Sequence, residues 1–183
     1  MALGDVSVIA DVTDTLTGLL AGLDVTLDSP ADLKGGTGSF EKINLYLYQA
    51  LEHAYTKNLP PAAADEGTLQ YPPLTLRLYY LLTPYASDPL SAHKVLGHAM
   101  RTFHDNALVE EEKLSDALRL TTDRLAVVLL SAKLEDLTRI WNALQTPYRL
   151  SVCYEVRVVP IESTLTQATI RARTRTNLYT PIG

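Results

Sequence analysis

Leu74–Asn106 reads LTLRLYYLLTPYASDPLSAHKVLGHAMRTFHDN, and its reading decides the fold. Leu74, Leu76, Leu78, Tyr80 and Leu82 alternate with Thr75, Arg77, Tyr79, Leu81 and Thr83. A period of two predicts a strand with one wholly apolar face and a second face that turns apolar near its end. Pro84 is expected to stop the ladder, because it has no N–H to donate. Asp88 offers a side-chain cap, and Pro89 suits the first helical position, where a missing N–H costs nothing. Leu96, Ala99, Met100, Phe103 and Ala107 then recur at helical spacing and form one apolar stripe. The stretch reads as a central strand with a helix folded back on it.

Elements on either side repeat these patterns. Upstream, Asp5 to Leu23 reads as an amphipathic helix with Val6, Ile9, Thr13, Leu16, Leu20 and Leu23 on its apolar side and Asp11 and Asp14 pointing away. Asp24–Pro30 reads as a short strand carrying Val25 and Leu27. Leu33–Ser39 is a glycine-rich turn. Ile43–Tyr48 (INLYLY) is a second strand, with Ile43, Leu45 and Leu47 on one face. Periodicity leaves Gln49–Asn58 open between strand and helix. Leu59–Pro73, with four prolines, reads as a surface loop leading into the central strand, long enough to be either mobile or in a contact.

Downstream, Arg124–Ser131 (RLAVVLLS) is short, β-branched and apolar, as a buried strand is. Leu134–Leu144 reads as a helix with Leu134, Leu137, Trp141 and Leu144 on its core side, barred from continuing by Pro147. Tyr148–Ile161 is the clearest strand. Leu150, Val152, Tyr154, Val156 and Val158 share one face; Arg149, Ser151, Cys153, Glu155 and Arg157 share the other, wet or partner-facing one. These elements add up to one α/β (α+β) domain over residues 1–163, a mixed or mostly antiparallel sheet flanked by helices. Residues 164–183 are rich in threonine and arginine and read as a basic extended C-terminal arm.

Bulk properties narrow the function. A chain of 183 residues with 46% hydrophobic and 20% charged residues can bury one sizeable core. A net charge of −5 argues against nucleic acid as a partner, since phosphate binding needs a basic face. The charge is uneven: residues 1–90 hold 11 acids and 4 bases, residues 91–183 hold 10 acids and 12 bases. The single cysteine, Cys153, implies no disulfide and no oxidising compartment. No signal-peptide pattern and no membrane-spanning apolar run is present, so synthesis in the cytoplasm is expected, without membrane insertion.

Candidate chemistry is sparse. The Gly35–Gly38 turn lacks the lysine and helix that a phosphate loop needs after its glycines, and reads as a turn. His93, His98 and His104 share one helix, but at about 100° per residue they do not converge on a metal. Glu110, Glu111 and Glu112 read as solvated acids. Nothing in sequence activates Cys153, and neither G-x-S-x-G nor H-E-x-x-H occurs. No catalytic, cofactor-binding or metal-binding residue is therefore assigned. The ten tyrosines fit core packing of strands more readily than an interface. Arg171, Arg173 and Arg175 would project from one side of an extended chain.

Four stretches together carry a resemblance: VTDTL in the first helix, NLYLYQ at Asn44–Gln49, the Leu74–Met100 run, and LEDLTRIWNALQTPYRLSVCYEVRVVPIES at Leu134–Ser163. The set resembles the tail-terminator, or cap, proteins of extracellular phage-tail-like contractile injection systems, in their N-terminal domain. Trp141–Val152 is its most specific part. The resemblance implies a six-fold ring on the baseplate-distal end of an inner tube and sheath, ending polymerisation and fixing particle length. It implies neither catalysis nor a cofactor. Implied partners are further copies of the chain, forming a homohexamer, together with the sheath and tube proteins. The particle would be assembled in the cytoplasm and released. Rivals from other classes are another ring-forming adaptor of the particle, a small enzyme, and a monomeric binding module. The expected contact residues are Arg171, Arg173, Arg175 and Tyr179 in the arm and Leu69 and Tyr71 in the Leu59–Pro73 loop.

Overall fold

The computed structural model describes residues 7–33, 41–54, 58–65, 67–116, 118–120, 122, 124–161 and 163–168. In chain order the elements are α1 (Val8–Leu19), β1 (Asp24–Thr26), β2 (Glu41–Glu52), β3 (Ala62–Asp65), β4 (Thr68–Gln70), β5 (Leu74–Ala86), α2 (Pro89–Asp105), β6 (Leu108–Glu110), β7 (Arg124–Leu130), α3 (Leu134–Ala143), β8 (Val152–Ile161) and β9 (Thr166–Ala168). A six-stranded sheet runs β1-β2-β5-β8-β7-β6, and β3-β4-β9 form a second, small sheet. Only the β1–β2 pair is parallel, so the expected mixed, mostly antiparallel sheet flanked by helices is the one found.

The alternation in β5 sorts its side chains onto two cores. Leu78, Tyr80 and Leu82 join Ile43, Leu45, Tyr154 and Val156 on the first face, under α1 and α2. Phe103 of α2 meets the Tyr154 ring edge-on, with centroids 5.0 Å apart. Leu81 and Cys153 face the other way, against Leu137 and Trp141 of α3. β5 is thus covered on both faces near its C-terminal end, where its second face turns apolar. The predicted start of α2 is borne out: the Asp88 carboxylate accepts from the Ser91 N–H at 3.0 Å, and Pro89 is the first helical residue.

Several expectations are corrected. β5 does not stop at Pro84 but runs on to Ala86, with Pro84 opposite Ile43. Pairing with β8 has already ended at Leu82–Val152, so Pro84 lies where β5 is paired with β2 alone and a missing donor is tolerated. α1 is shorter than expected, and its buried residues are Val8, Val12, Thr15 and Leu16, with the buried Leu20 capping its C-terminal end. Ile9 and Thr13 flank these residues instead of joining them, and Val6 lies outside the described residues. In α2 the stripe includes Val95, whereas Ala107 is exposed beyond the helix end. β7 is half-buried, not buried: Leu125 and Val127 face the core while Leu129 is 48% exposed. Leu134 of α3 is likewise exposed. β8 begins at Val152 instead of Tyr148, because its pairing with β5 begins there; Tyr148 and Leu150 are exposed. The undecided Gln49–Asn58 stretch continues as strand to Glu52.

Leu59–Pro73 is not a loop. It contains β3 and β4, joined through Gly67 at φ +107°, a value glycine adopts without a Cβ clash. Three successive alanines carry no alternation to announce β3. The small sheet extends the three central strands: β2 leads to β3, β4 leads into β5, and β8 leads to β9, in the same lateral order. The Tyr71 N–H donates to the Leu165 carbonyl at 3.1 Å and links the two ladders. A three-stranded tongue therefore projects from one end of the main sheet. The Gly35–Gly38 turn lies outside the described residues.

Candidate interaction surface

The positions that could carry chemistry are scattered. His93, His98 and His104 are exposed along α2, and among the described residues no group of three or more His, Cys, Asp or Glu is placed to hold a metal. Glu110, Glu111 and Glu112 are exposed after the edge strand β6. Cys153 is buried; burial pushes its thiol up, and the hydrogen bond with Tyr48 offsets this only in part. An inert thiol is what such an environment produces. No helix among the described residues is long and apolar enough to cross a membrane.

Exposed apolar residues occur over much of the fold, and the tongue end carries several of them. Leu69 sits half-buried in β4, and Tyr71 is 39% exposed at the junction with β5. Around them Leu51, Leu59, Leu74 and Leu165 are all exposed. The structure thus brings the two expected loop residues together with four leucines that sequence reasoning did not single out. The signal was available only after β2, β5 and β8 were known to end side by side. Arg171, Arg173, Arg175 and Tyr179 lie outside the described residues. Of the expected arm, Thr166–Ala168 form β9 and pair with β4.

The tongue end of the second sheet face carries an ion cluster. Register places Arg77 of β5 opposite Arg157 of β8, and Tyr79 opposite Glu155. Glu155 is fully buried and takes both guanidiniums: Arg77 on Oε1, and Arg157 on Oε2 at 2.8 and 2.9 Å. The Tyr79 hydroxyl donates to Oε1 at 3.3 Å, and the Arg77 guanidinium lies 5.6 Å from the Tyr79 ring centroid. Burial pushes the Glu155 carboxyl up, but the two arginines outweigh it and hold the pKa below the ordinary value. Alternation already put Glu155 and Arg157 on one face of β8, but that face is not the wet or partner-facing one expected: Ser151, Cys153 and Glu155 are buried, with α3 packed over Cys153, and Arg157 is exposed. Pairing with Arg77 depended on a register shift at Leu76/Arg77 that no sequence pattern marks.

Tyrosine use splits. Tyr80, Tyr85 and Tyr154 are buried, in keeping with core packing, whereas Tyr148 and Tyr71 are exposed. A groove of about 690 Å³ opens between the end of α2 and β7, lined by Met100, Phe103, Ala107, Leu108 and Leu129. Its walls are mostly apolar, and Arg101 and His104 of α2 also line it.

Two solved structures share this fold. The sheath/tube terminator of an extracellular contractile injection system, PVC, in its extended state superposes with a TM-score of 0.67 at 18% identity, over 94% of this chain and 64% of that one. The tube-terminating cap of the anti-feeding prophage, AFP, superposes with a TM-score of 0.66 at 18% identity, over 97% of this chain and 62% of that one. The chain therefore spans less than two thirds of the length of either protein. No curated protein sequence matches it. The model of the Pvc16 N-terminal domain family matches residues 9–175, nearly the whole chain, and the protein belongs to that family.

Proposed function

We propose that the protein is the terminating cap of a contractile injection system, seated as a closed ring on the baseplate-distal end of the inner tube and sheath. The observation that carries this reading is the shared fold with two terminators over more than nine tenths of this chain. A tube grows because each added ring exposes the docking surface for the next, a contact that never closes along the axis. A cap must bind that surface and offer no copy of it, while its own copies close laterally. Such a role is one of shape and needs no catalysis. It also fits a surface that carries exposed leucines at several places, Leu90 and Leu134 as well as Leu51 and Leu74.

In this reading six copies form the ring, assembled in the cytoplasm and carried out with the particle. The tongue, through Leu69 and Tyr71, meets the tube or sheath, and the 164–183 arm with Arg171, Arg173, Arg175 and Tyr179 adds a strand-like contact to a neighbour. Deleting the gene and measuring particle lengths by electron microscopy tests the reading. Tubes and sheaths of uncontrolled length are expected; lengths matching the wild type would overturn it. A gold label on the chain should mark the end away from the baseplate, and a label at the baseplate end would point to an adaptor instead.

A further inference from the structure

The outer side of β7 is covered over only part of its length. β6 pairs with residues 124–126, and the Val127 N–H donates to the carbonyl of Ala107, just past the end of α2, at 2.8 Å. β7 itself runs on to Leu130. Backbone groups of an antiparallel strand point to alternate sides, so Leu129 turns its N–H and C=O to the same outer edge as Val127. Among the described residues no strand pairs with it there. The groove of about 690 Å³ lies at this place, and its walls include the consecutive residues Ala126, Val127, Val128 and Leu129. Successive side chains of a strand point to opposite faces, so a cavity that touches all of these runs along the edge and not over one face. The buried rings of Phe103 and Tyr154 are among its walls, and Leu108 and Leu129 beside it are 58% and 48% exposed. Arg101 and His104 of α2 line it as well, and no carboxylate does. Among the described residues Arg101 forms no ion pair. Glu110 lies at the far end of β6, opposite Arg124.

We propose that this edge receives the C-terminal tail of a partner protein, laid alongside β7 in line with β6, with its free carboxylate against Arg101. The unpaired backbone of Leu129 supplies rungs for an added strand, and the groove takes the side chains of alternate residues. β6 runs antiparallel to β7, and a tail of the same sense advances toward Ala107. There it is blocked, because the Ala107 carbonyl already holds the Val127 N–H. A chain that ends at this point avoids the collision. Its end group then falls beside the last turns of α2, where Arg101 and His104 stand. A carboxylate is the end group that such donors select. Residues 169–183 of this chain fit poorly, since they bring three arginines and no acid to a groove that already presents a cation. The contact needs neither a ring nor a tube and stands apart from the cap reading.

A fluorescein-labelled peptide that alternates threonine with valine and ends in a free carboxylate, titrated with the full chain by fluorescence anisotropy, tests the contact. Saturable binding is expected. Replacing the terminal carboxylate by an amide should weaken it by about tenfold, equivalent to ~1.4 kcal/mol. Methylating the peptide nitrogens that face β7 should weaken it as much or more, because the rungs lose their donors. In Arg101→Ala, at an exposed position, the acid and the amide should bind nearly alike. Leu129→Pro removes one outward N–H from a strand edge and should bind less well than Leu129→Ala. Circular dichroism checks the fold of each variant, and the methylated peptide puts the same question to the unaltered chain. No binding at millimolar peptide, equal binding of acid and amide, or indifference to methylation would overturn the proposal. Displacement by octanoate at the affinity of the peptide would also overturn it, by making the groove a site for apolar acids and not for a strand.

Discussion

The Trp141 indole N–H donates to Ser151 Oγ at 3.0 Å, with both residues buried, and this bond ties α3 to the start of β8. Ser151→Ala leaves the indole N–H buried without that acceptor and should cost ~1–3 kcal/mol in urea denaturation. Trp141→Phe removes the donor as well. The double variant is therefore expected to be less destabilised than the sum of the singles, with a coupling of ~0.5–3 kcal/mol. Strict additivity would show that the bond adds nothing to packing.

Glu155 should dominate the acid limb of stability on the second face. Its folded pKa is held low, so the unfolded chain takes up the proton first as pH falls. The stabilisation is present above the ordinary carboxylate pKa and is lost as pH drops through the depressed folded value. Glu155→Gln should lower stability at neutral pH by ~1–3 kcal/mol and flatten the acid limb. Denaturation curves from pH 7 downward measure both; an acid limb identical to the wild type would mean that the carboxylate does not stabilise the fold through its charge.

Tyr80 should act at the other end of the pH scale. Its hydroxyl lies 2.8 Å from Thr13 Oγ1 and shares a hydrogen bond with it in which either group can donate. Burial raises the Tyr80 pKa to about 12, outweighing the Thr13 bond. The unfolded chain loses the proton near pH 10, so stability is full below that value and falls as pH rises toward 12. A loss of up to ~2–3 kcal/mol is expected from this group. In Tyr80→Phe that part of the alkaline fall should disappear, while neutral stability drops by ~1 kcal/mol.

Truncation after Ser163 removes β9 and the rest of the arm, while the six-stranded sheet keeps every pairing. The melting temperature should move little, and incorporation into particles should fall sharply when assayed by immunoblot of purified material. Tyr71→Ser, at an exposed position, should show the same split between fold and assembly. Normal incorporation of both variants would take the tongue and arm out of the contact.

The legible parts of the fold were those where side-chain alternation or a cap decides locally. β5, α2 with Asp88 and Pro89, α3 with Leu137 and Trp141, and most of β8 follow from residues next to one another in sequence. What escaped depends on partners far away in the chain. Pro84 is tolerated because β8 stops pairing at Val152. β3 exists because Ala62–Asp65 pairs with β4, not because its own residues favour strand. Thr13 and Ile9 flank the core instead of building it, since Tyr80 takes Thr13 as a hydrogen-bond partner. Leu69 and Tyr71 were named as contact candidates from the length of Leu59–Pro73 and the role that the resemblance implies; their place in and beside β4 was not legible, because it depends on pairing with β3 and β9. The Arg77–Glu155–Arg157 cluster needed the β5–β8 register, which lies beyond any local pattern.

The unbroken order from β2-β5-β8 into β3-β4-β9 has a mechanical side. Force pulling lengthwise on the tongue runs straight into the central strands, where it strains many rungs of the ladder together instead of peeling them one by one. A lever rooted in this way passes load to the middle of the subunit without first tearing an edge loose. That is a suitable anchorage for a part that bears lengthwise load, as the proposed cap would.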